Sequence, residues 1–115
     1  MEIIIIKDKI SLERLRELAL STFGDMVKVV VDIERNLMAA GGEMHADCEQ
    51  VLLDDGSEQK NLWGANIYPE KDKSDWIEYT SLINIRPAVG NRSLEIQDQT
   101  IREKVKQVTE SLIIW

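Results

Sequence analysis

The sequence is poor in the residues from which most recognisable sites are built. It has one cysteine, one histidine and two prolines in 115 residues. The lone Cys48 cannot close an internal disulfide or join a second cysteine as a metal clamp, and a reducing compartment is the simplest setting for it. With His45 as the single histidine and no HExxH, no metal site is expected. Neither GxxxxGK(S/T) nor GxGxxG occurs, so these two phosphate cradles are excluded. Basic residues are also scarce: 14 Lys plus Arg against 21 Asp plus Glu give a net charge of −7. No basic helix or stripe offsets that charge, which argues against nucleic-acid binding. The apolar run Ile3–Ile6 has only four residues, too few for a signal peptide or membrane span, so a cytoplasmic protein is expected, with no membrane partner.

What is present fits one α+β domain over residues 1–115. Hydrophobic content of 43% and charged content of 30% are ordinary for a folded domain of this length. Ile3–Ile6 is a β-branched run of the kind that forms a buried strand. Ser11 reads as a helix N-cap, with Ile10 and Leu15 as a hydrophobic staple, and Gly24 ends the helix. From Met26 to Glu34 the residues alternate, with Val27, Val29, Val31 and Ile33 on one side. Arg35-Asn36 offers a turn in which Asn tolerates positive φ, and Leu37–His45 returns as the hairpin partner. The small residues Ala39, Ala40, Gly41 and Gly42 mark a bulge or a close approach of another backbone or ligand.

Asp47 and Gln50 have capping-box spacing for a short helix closed by Gly56. Leu62–Tyr68 reads as a strand, and Trp76–Arg86 as another, stopped by Pro87 because proline lacks a backbone donor. Thr100 and Glu103 suggest a second capping box, opening a helix with Ile101, Val105, Val108 and Leu112 as its apolar stripe. These elements predict a two-layer domain: a mostly antiparallel sheet of four or five strands, two main helices on one face, and one short helix. The second face would stay partly polar, presenting Lys28, Asp32, Glu34, Glu43, His45, Asn66, Tyr68, Glu78, Asn84 and Arg86. A one-residue slip would invert any strand of it. Trp63, Trp76 and Trp115 suit a pocket wall, a dimer contact or plain core packing.

The best candidate site is the stretch from Asn84 to Ser93. No acid occurs from Tyr79 to Leu94, which makes a positive island in an acidic chain. Arg86 and Arg92 can hold a carboxylate or phosphate by paired charge-assisted hydrogen bonds, with Asn84, Asn91 and Ser93 as neutral partners and Gly90 admitting backbone N–H groups. The bland alternative is a loop-ordering ion pair with an acid such as Asp32 or Glu43, the turn residues serving only the turn. Glu43, His45 and Asp47 share a face if extended, which suits proton transfer. Cys48, in the first turn of the short helix, would have its pKa lowered by the helix dipole, yet a structural thiol is the better reading.

Three segments belong together: Gly41-Gly42-Glu43-Met44-His45-Ala46-Asp47; Leu62-Trp63-Gly64-Ala65-Asn66-Ile67-Tyr68-Pro69; and Ser81-Leu82-Ile83-Asn84-Ile85-Arg86-Pro87 with Gly90-Asn91-Arg92-Ser93. They resemble a family of small uncharacterised prokaryotic proteins, a domain of unknown function. The resemblance runs from Phe23-Gly24-Asp25-Met26-Val27 to the last helix, and it implies no activity, cofactor or site residue. Cys48 departs from it, because similar chains carry an acidic or small residue there, which lowers any catalytic role for the thiol.

The expectation is a binding or self-association module that recognises a small anionic ligand or a protein partner, without cofactor, and forms a homo-oligomer, in the simplest case a dimer. Large apolar residues at edges and termini, notably Trp115 beside Ile113 and Ile114, motivate the self-association. The alternative is a small enzyme using Glu43 and His45 for proton transfer while Arg86 and Arg92 hold an anionic substrate.

Overall fold

In the computed structural model, which describes residues 2–115, Ser11 caps the first helix as its sequence predicts. Its hydroxyl accepts from the Arg14 N–H at 3.0 Å, and the staple residues Ile10 and Leu15 are both buried. The chain runs β1 (Ile3–Ile6), β2 (Ile10–Ser11), α1 (Leu12–Leu20), β3 (Val27–Asp32), β4 (Leu37–Gly41), α2 (His45–Asp54), β5 (Leu62–Ile67), β6 (Ile77–Glu78), α3 (Gln99–Leu112) and β7 (Ile113–Ile114). The fold is α+β. Five strands form one antiparallel sheet in the order β1-β4-β3-β5-β6, and β2 pairs with β7 in a small parallel ribbon.

The β3–β4 hairpin turns at Arg35-Asn36 as expected, with Asn36 at φ 56°. Asp32 builds the turn from within: its Oδ1 accepts the N–H groups of Glu34 and Arg35, both at 2.9 Å. Period-two alternation then sorts the strands. Ile6, Val27, Val29, Val31, Met38, Ala40, Trp63, Ala65 and Ile67 join Leu15 and Leu18 of α1 and Val105, Val108 and Leu112 of α3 in the main core. Val30, Leu37, Ala39 and Leu62 point to the opposite face, where they meet Cys48 and Leu52 of α2. The two main helices thus lie on one face, while the short helix covers part of the other. Alternation already places Val30, Leu37, Ala39 and Leu62 on that second face, and α2 roofs them. At Gly41, φ is +107° and a Cβ would collide with the Glu2 carbonyl, so the predicted close approach is that of another backbone.

Four local expectations are corrected. The segment Leu37–His45 is strand only to Gly41, and His45 opens α2 instead. The helix consequently starts before Asp47, and Met44 is its N-cap, with no side-chain cap bond. Asp98, not Thr100, caps α3, accepting from the N–H groups of Thr100 at 2.8 Å and Ile101 at 3.3 Å. The expected strand Trp76–Arg86 pairs with β5 only through Ile77 and Glu78, and Thr80 and Arg86 make single antiparallel bridges to Glu95 and Asn91. Beyond Glu78 the chain makes single 3-10 turns at Leu82–Asn84 and Pro87–Val89, with Gly90 at φ 85° closing the second. Side chains of Ser81, Asn84 and Asn91 bond to the backbone here and outcompete a strand ladder. Among the described residues no helix is long and apolar enough to cross a membrane.

Candidate functional site

The positive island divides into an inner scaffold and an outer surface. Asn84 is fully buried, and its amide docks on the free edge of β5: the Gly64 N–H donates to Oδ1 at 2.9 Å, while Nδ2 donates to the Gly64 carbonyl at 3.0 Å and the Leu94 carbonyl at 3.1 Å. Asn91 Nδ2 donates to the carbonyls of Asn84, Ser93 and Glu95 between 2.7 and 3.0 Å, and its Oδ1 accepts from the Gln97 N–H at 2.8 Å. Both amides are thereby occupied in holding the loop. Ser93 Oγ accepts from the Glu95 N–H at 3.1 Å, and Arg92 is exposed.

Arg86 turns inward instead. Its guanidinium stacks 4.8 Å from the Trp63 ring centroid, and Nη2 lies 3.5 Å from Glu49 Oε2. Among the described residues neither Nη1, Nη2 nor that Glu49 oxygen has a hydrogen-bond partner. Burial lowers the Arg86 pKa and Glu49 opposes the shift. The pair lines a groove of about 470 Å³ with Gln59, Lys60, Ile85 and Val89. An anion entering it would compete with a carboxylate already present.

A second concavity, of about 390 Å³, lies beside His45. Its polar floor comes from sheet register, because Lys28 of β3 stands opposite Asn66 of β5, which stands opposite Glu78 of β6. The first turn of α2 lays the His45 ring over the neighbouring row. There Gly64 leaves room: a Cβ at that position would sit 2.5 Å from Ser81 Cβ and 3.2 Å from His45 Cδ2. Met26, Met44, Leu82, Ile83 and Leu94 make the rest of the lining mostly apolar. Three of these side chains are well exposed at its mouth: Leu82 (75%), Met44 (56%) and Leu94 (41%).

His45 Nε2 lies 2.8 Å from the Ala65 carbonyl oxygen. A carbonyl only accepts, so Nε2 carries the proton, and Nδ1 of the neutral ring keeps a lone pair. Burial lowers the His45 pKa, with Lys28 adding to that shift, while the Ala65 carbonyl and the Asn66 side chain oppose it. Asn66 Nδ2 donates to Glu78 Oε1 at 2.8 Å and to the Thr80 carbonyl at 3.3 Å. Its Oδ1 is buried with no partner among the described residues. Lys28 lies 5.0 Å from the Phe23 ring centroid and forms no ion pair among the described residues.

The residues singled out in the sequence are therefore not all gathered. His45 lines the second concavity, Arg86 lines the first, and Arg92 and Glu43 line neither. His45 and Glu49 are one α2 turn apart, so the two concavities are neighbours, with Ile83 between them. Lys28 and Asn66 were legible as facing one way, but their meeting beneath His45 depends on strand register. Gly64, a glycine inside a strand, was the one local sign of a close approach there. Cys48 is buried, its Sγ donating to the Gly41 carbonyl at 3.0 Å, and burial pushes its pKa up to about 12. The expected lowering by the helix dipole is overturned, because desolvation dominates. Among the described residues no three His, Cys, Asp or Glu side chains are grouped to hold a metal ion.

No curated protein and no solved structure matches this chain. The family described as "Protein of unknown function (DUF5674)" matches residues 4–112, almost the whole length. The chain belongs to that family.

Proposed function

We propose that this protein is a binding module for a small anionic ligand with an apolar body, held in the concavity of Lys28, His45 and Asn66. The carrying observation is Lys28, a cation without an acid partner among the described residues, at a mostly apolar cleft of about 390 Å³. Ligand sites are commonly concave, largely apolar and of this size, with a few polar groups setting orientation. The Arg86 groove supports an anion less well, since Glu49 already offsets its charge. The occupied amides of Asn84 and Asn91 weaken the loop itself as a ligand site. Proton transfer by Glu43 and His45 on a substrate held by Arg86 and Arg92 would need four side chains in one cavity, and they do not share one.

The test is a thermal-shift series with short aliphatic carboxylates, hexanoate among them. Hexanoate is expected to raise the melting temperature of the wild-type chain, and Lys28→Gln to abolish the rise while Arg92→Gln leaves it intact. A rise that survives Lys28→Gln would sink the reading.

Exposed Met44, Leu82 and Leu94 favour a second reading, in which a partner or a second copy of the chain covers the cleft mouth. Light scattering across a concentration series tests it. A dimer that Leu82→Glu converts to monomer supports self-association there; a monomer throughout counts against it. A cytoplasmic setting fits either reading, since Cys48 is a free thiol.

A further inference from the structure

We infer that the ligand of the Lys28 cleft carries a hydrogen-bond donor next to its carboxylate, as an aliphatic α-hydroxy or α-amino acid does. This deepens the proposed function and rests on it. The cleft presents a pairing of groups that a plain carboxylate cannot satisfy. Lys28 and Asn66 are direct cross-strand partners on one sheet face, so their side chains start about 5 Å apart. Lys28 supplies positive charge, whereas Asn66 supplies an acceptor. The Asn66 amide is oriented by its two donor bonds to Glu78 and Thr80, which fixes Oδ1 as the end left over. That oxygen has no partner among the described residues, and its residue is only 7% exposed.

His45 adds a second acceptor beside it. Its Nε2–H is committed to Ala65, which leaves the Nδ1 lone pair. Lowering of the His45 pKa keeps this lone pair free at neutral pH. The site therefore joins one cation to two lone-pair acceptors over an apolar lining. Asn66 Oδ1 is already closed to water and unpaired among the described residues, so a ligand donor that reaches it relieves a standing cost that a ligand with acceptors alone leaves in place. A hydroxyl or ammonium on the carbon beside the carboxylate reaches Oδ1 while the carboxylate faces Lys28. The aliphatic tail then lies against Met26, Met44, Leu82 and Leu94. Access to Oδ1 needs the mouth to yield, and the exposed, unbranched Met44 side chain is suited to that.

The experiment is calorimetric titration of the wild-type chain with hexanoate, α-hydroxyhexanoate, norleucine and hexanol, with the NMR signals of the His45 ring followed in the same titrations. At least one of the two α-substituted acids is expected to bind ~10-fold or more tightly than hexanoate, shifting the His45 signals. Asn66→Val, checked for folding by its melting curve, should reduce that ratio to near unity. If hexanoate and an α-substituted acid bind with equal affinity, the donor inference falls and the anionic cleft stands. If no carboxylate moves the His45 signals, both fall. Tighter binding of α-hydroxyhexanoate than norleucine selects the hydroxy acid, and the reverse order the amino acid. Should Asn66→Val fail to fold, the wild-type ratio alone decides.

Discussion

The Asn84 side chain stands in for a missing β-strand, pairing with both backbone groups of Gly64 at 2.9 and 3.0 Å. Strand β5 needs such a partner because β6 pairs only with Asn66 and Ile67, leaving the edge of Gly64 that faces away from β3 without a strand beside it. Asn91 repeats the device one layer out, tying Asn84 to the chain at Ser93 and Glu95. The arginine loop is thereby sewn to the sheet that floors the cleft.

Asn84→Ala is expected to lower unfolding free energy by about 2–3 kcal/mol, since it strands the buried groups that the amide now pairs. Urea denaturation measures this. Asn84→Asp keeps the acceptor for the Gly64 N–H but sets a negative charge against two carbonyls. It should also be destabilised, and should recover partly at acid pH as the new carboxyl protonates. An unchanged midpoint for Asn84→Ala would show that the amide contributes nothing to stability.

Gly64→Ala places a methyl group 2.5 Å from Ser81 Cβ and 2.6 Å from its Oγ. Overpacking of this kind costs about 1–3 kcal/mol. Because the collision is with a side chain, Ser81→Gly in the same chain should recover part of the loss. A double-mutant cycle by denaturation reads the coupling; strictly additive effects would mean that the strain lies elsewhere.

His45 makes stability depend on pH. Its folded pKa is lowered from 6.5 chiefly by burial, so below that pH the unfolded chain takes up a proton before the folded chain does. The unfolded state then binds more protons, and stability falls with pH through the window between 6.5 and the lower folded value. Chemical denaturation in the first pH unit below 6.5 should show this slope, and His45→Gln should remove it. NMR titration of the single histidine should place its pKa under 6.5, and a value above it would contradict the burial argument.

Cys48, with its pKa raised to about 12, holds almost no thiolate at neutral pH. Thiol reagents such as DTNB should leave the native chain unmodified and label it fully in denaturant. Rapid labelling under native conditions would show that α2 opens from the sheet.

Much of the scaffold could be read from local pattern. Alternation in β3 put Val27, Val29 and Val31 on one face, and the β-branched run Ile3–Ile6 marked β1. The stretch after Glu78 could not be read this way. Ile77, Tyr79, Ser81, Ile83 and Ile85 keep a strand's spacing, yet the chain coils into 3-10 turns because buried amides bind its backbone. Nothing local distinguishes an asparagine that faces a ligand from one that replaces a strand.

The sequence by itself determined the faces: a period-two or helical repeat shows which residues lie together on one element, and Lys28, Asn66 and Glu78 were placed on a shared face from it. Tertiary structure alone decided that these three stand in one row and that His45 lies across the next, over Gly64. It also turned Asn84 and Arg86 inward, the one to the backbone of Gly64 and the other onto Trp63. The physical reason is range. Periodicity records what each residue's neighbours along the chain must bury, whereas register and docking depend on contacts such as His45 with Ala65, 20 residues apart, whose partners only the folded sheet brings together.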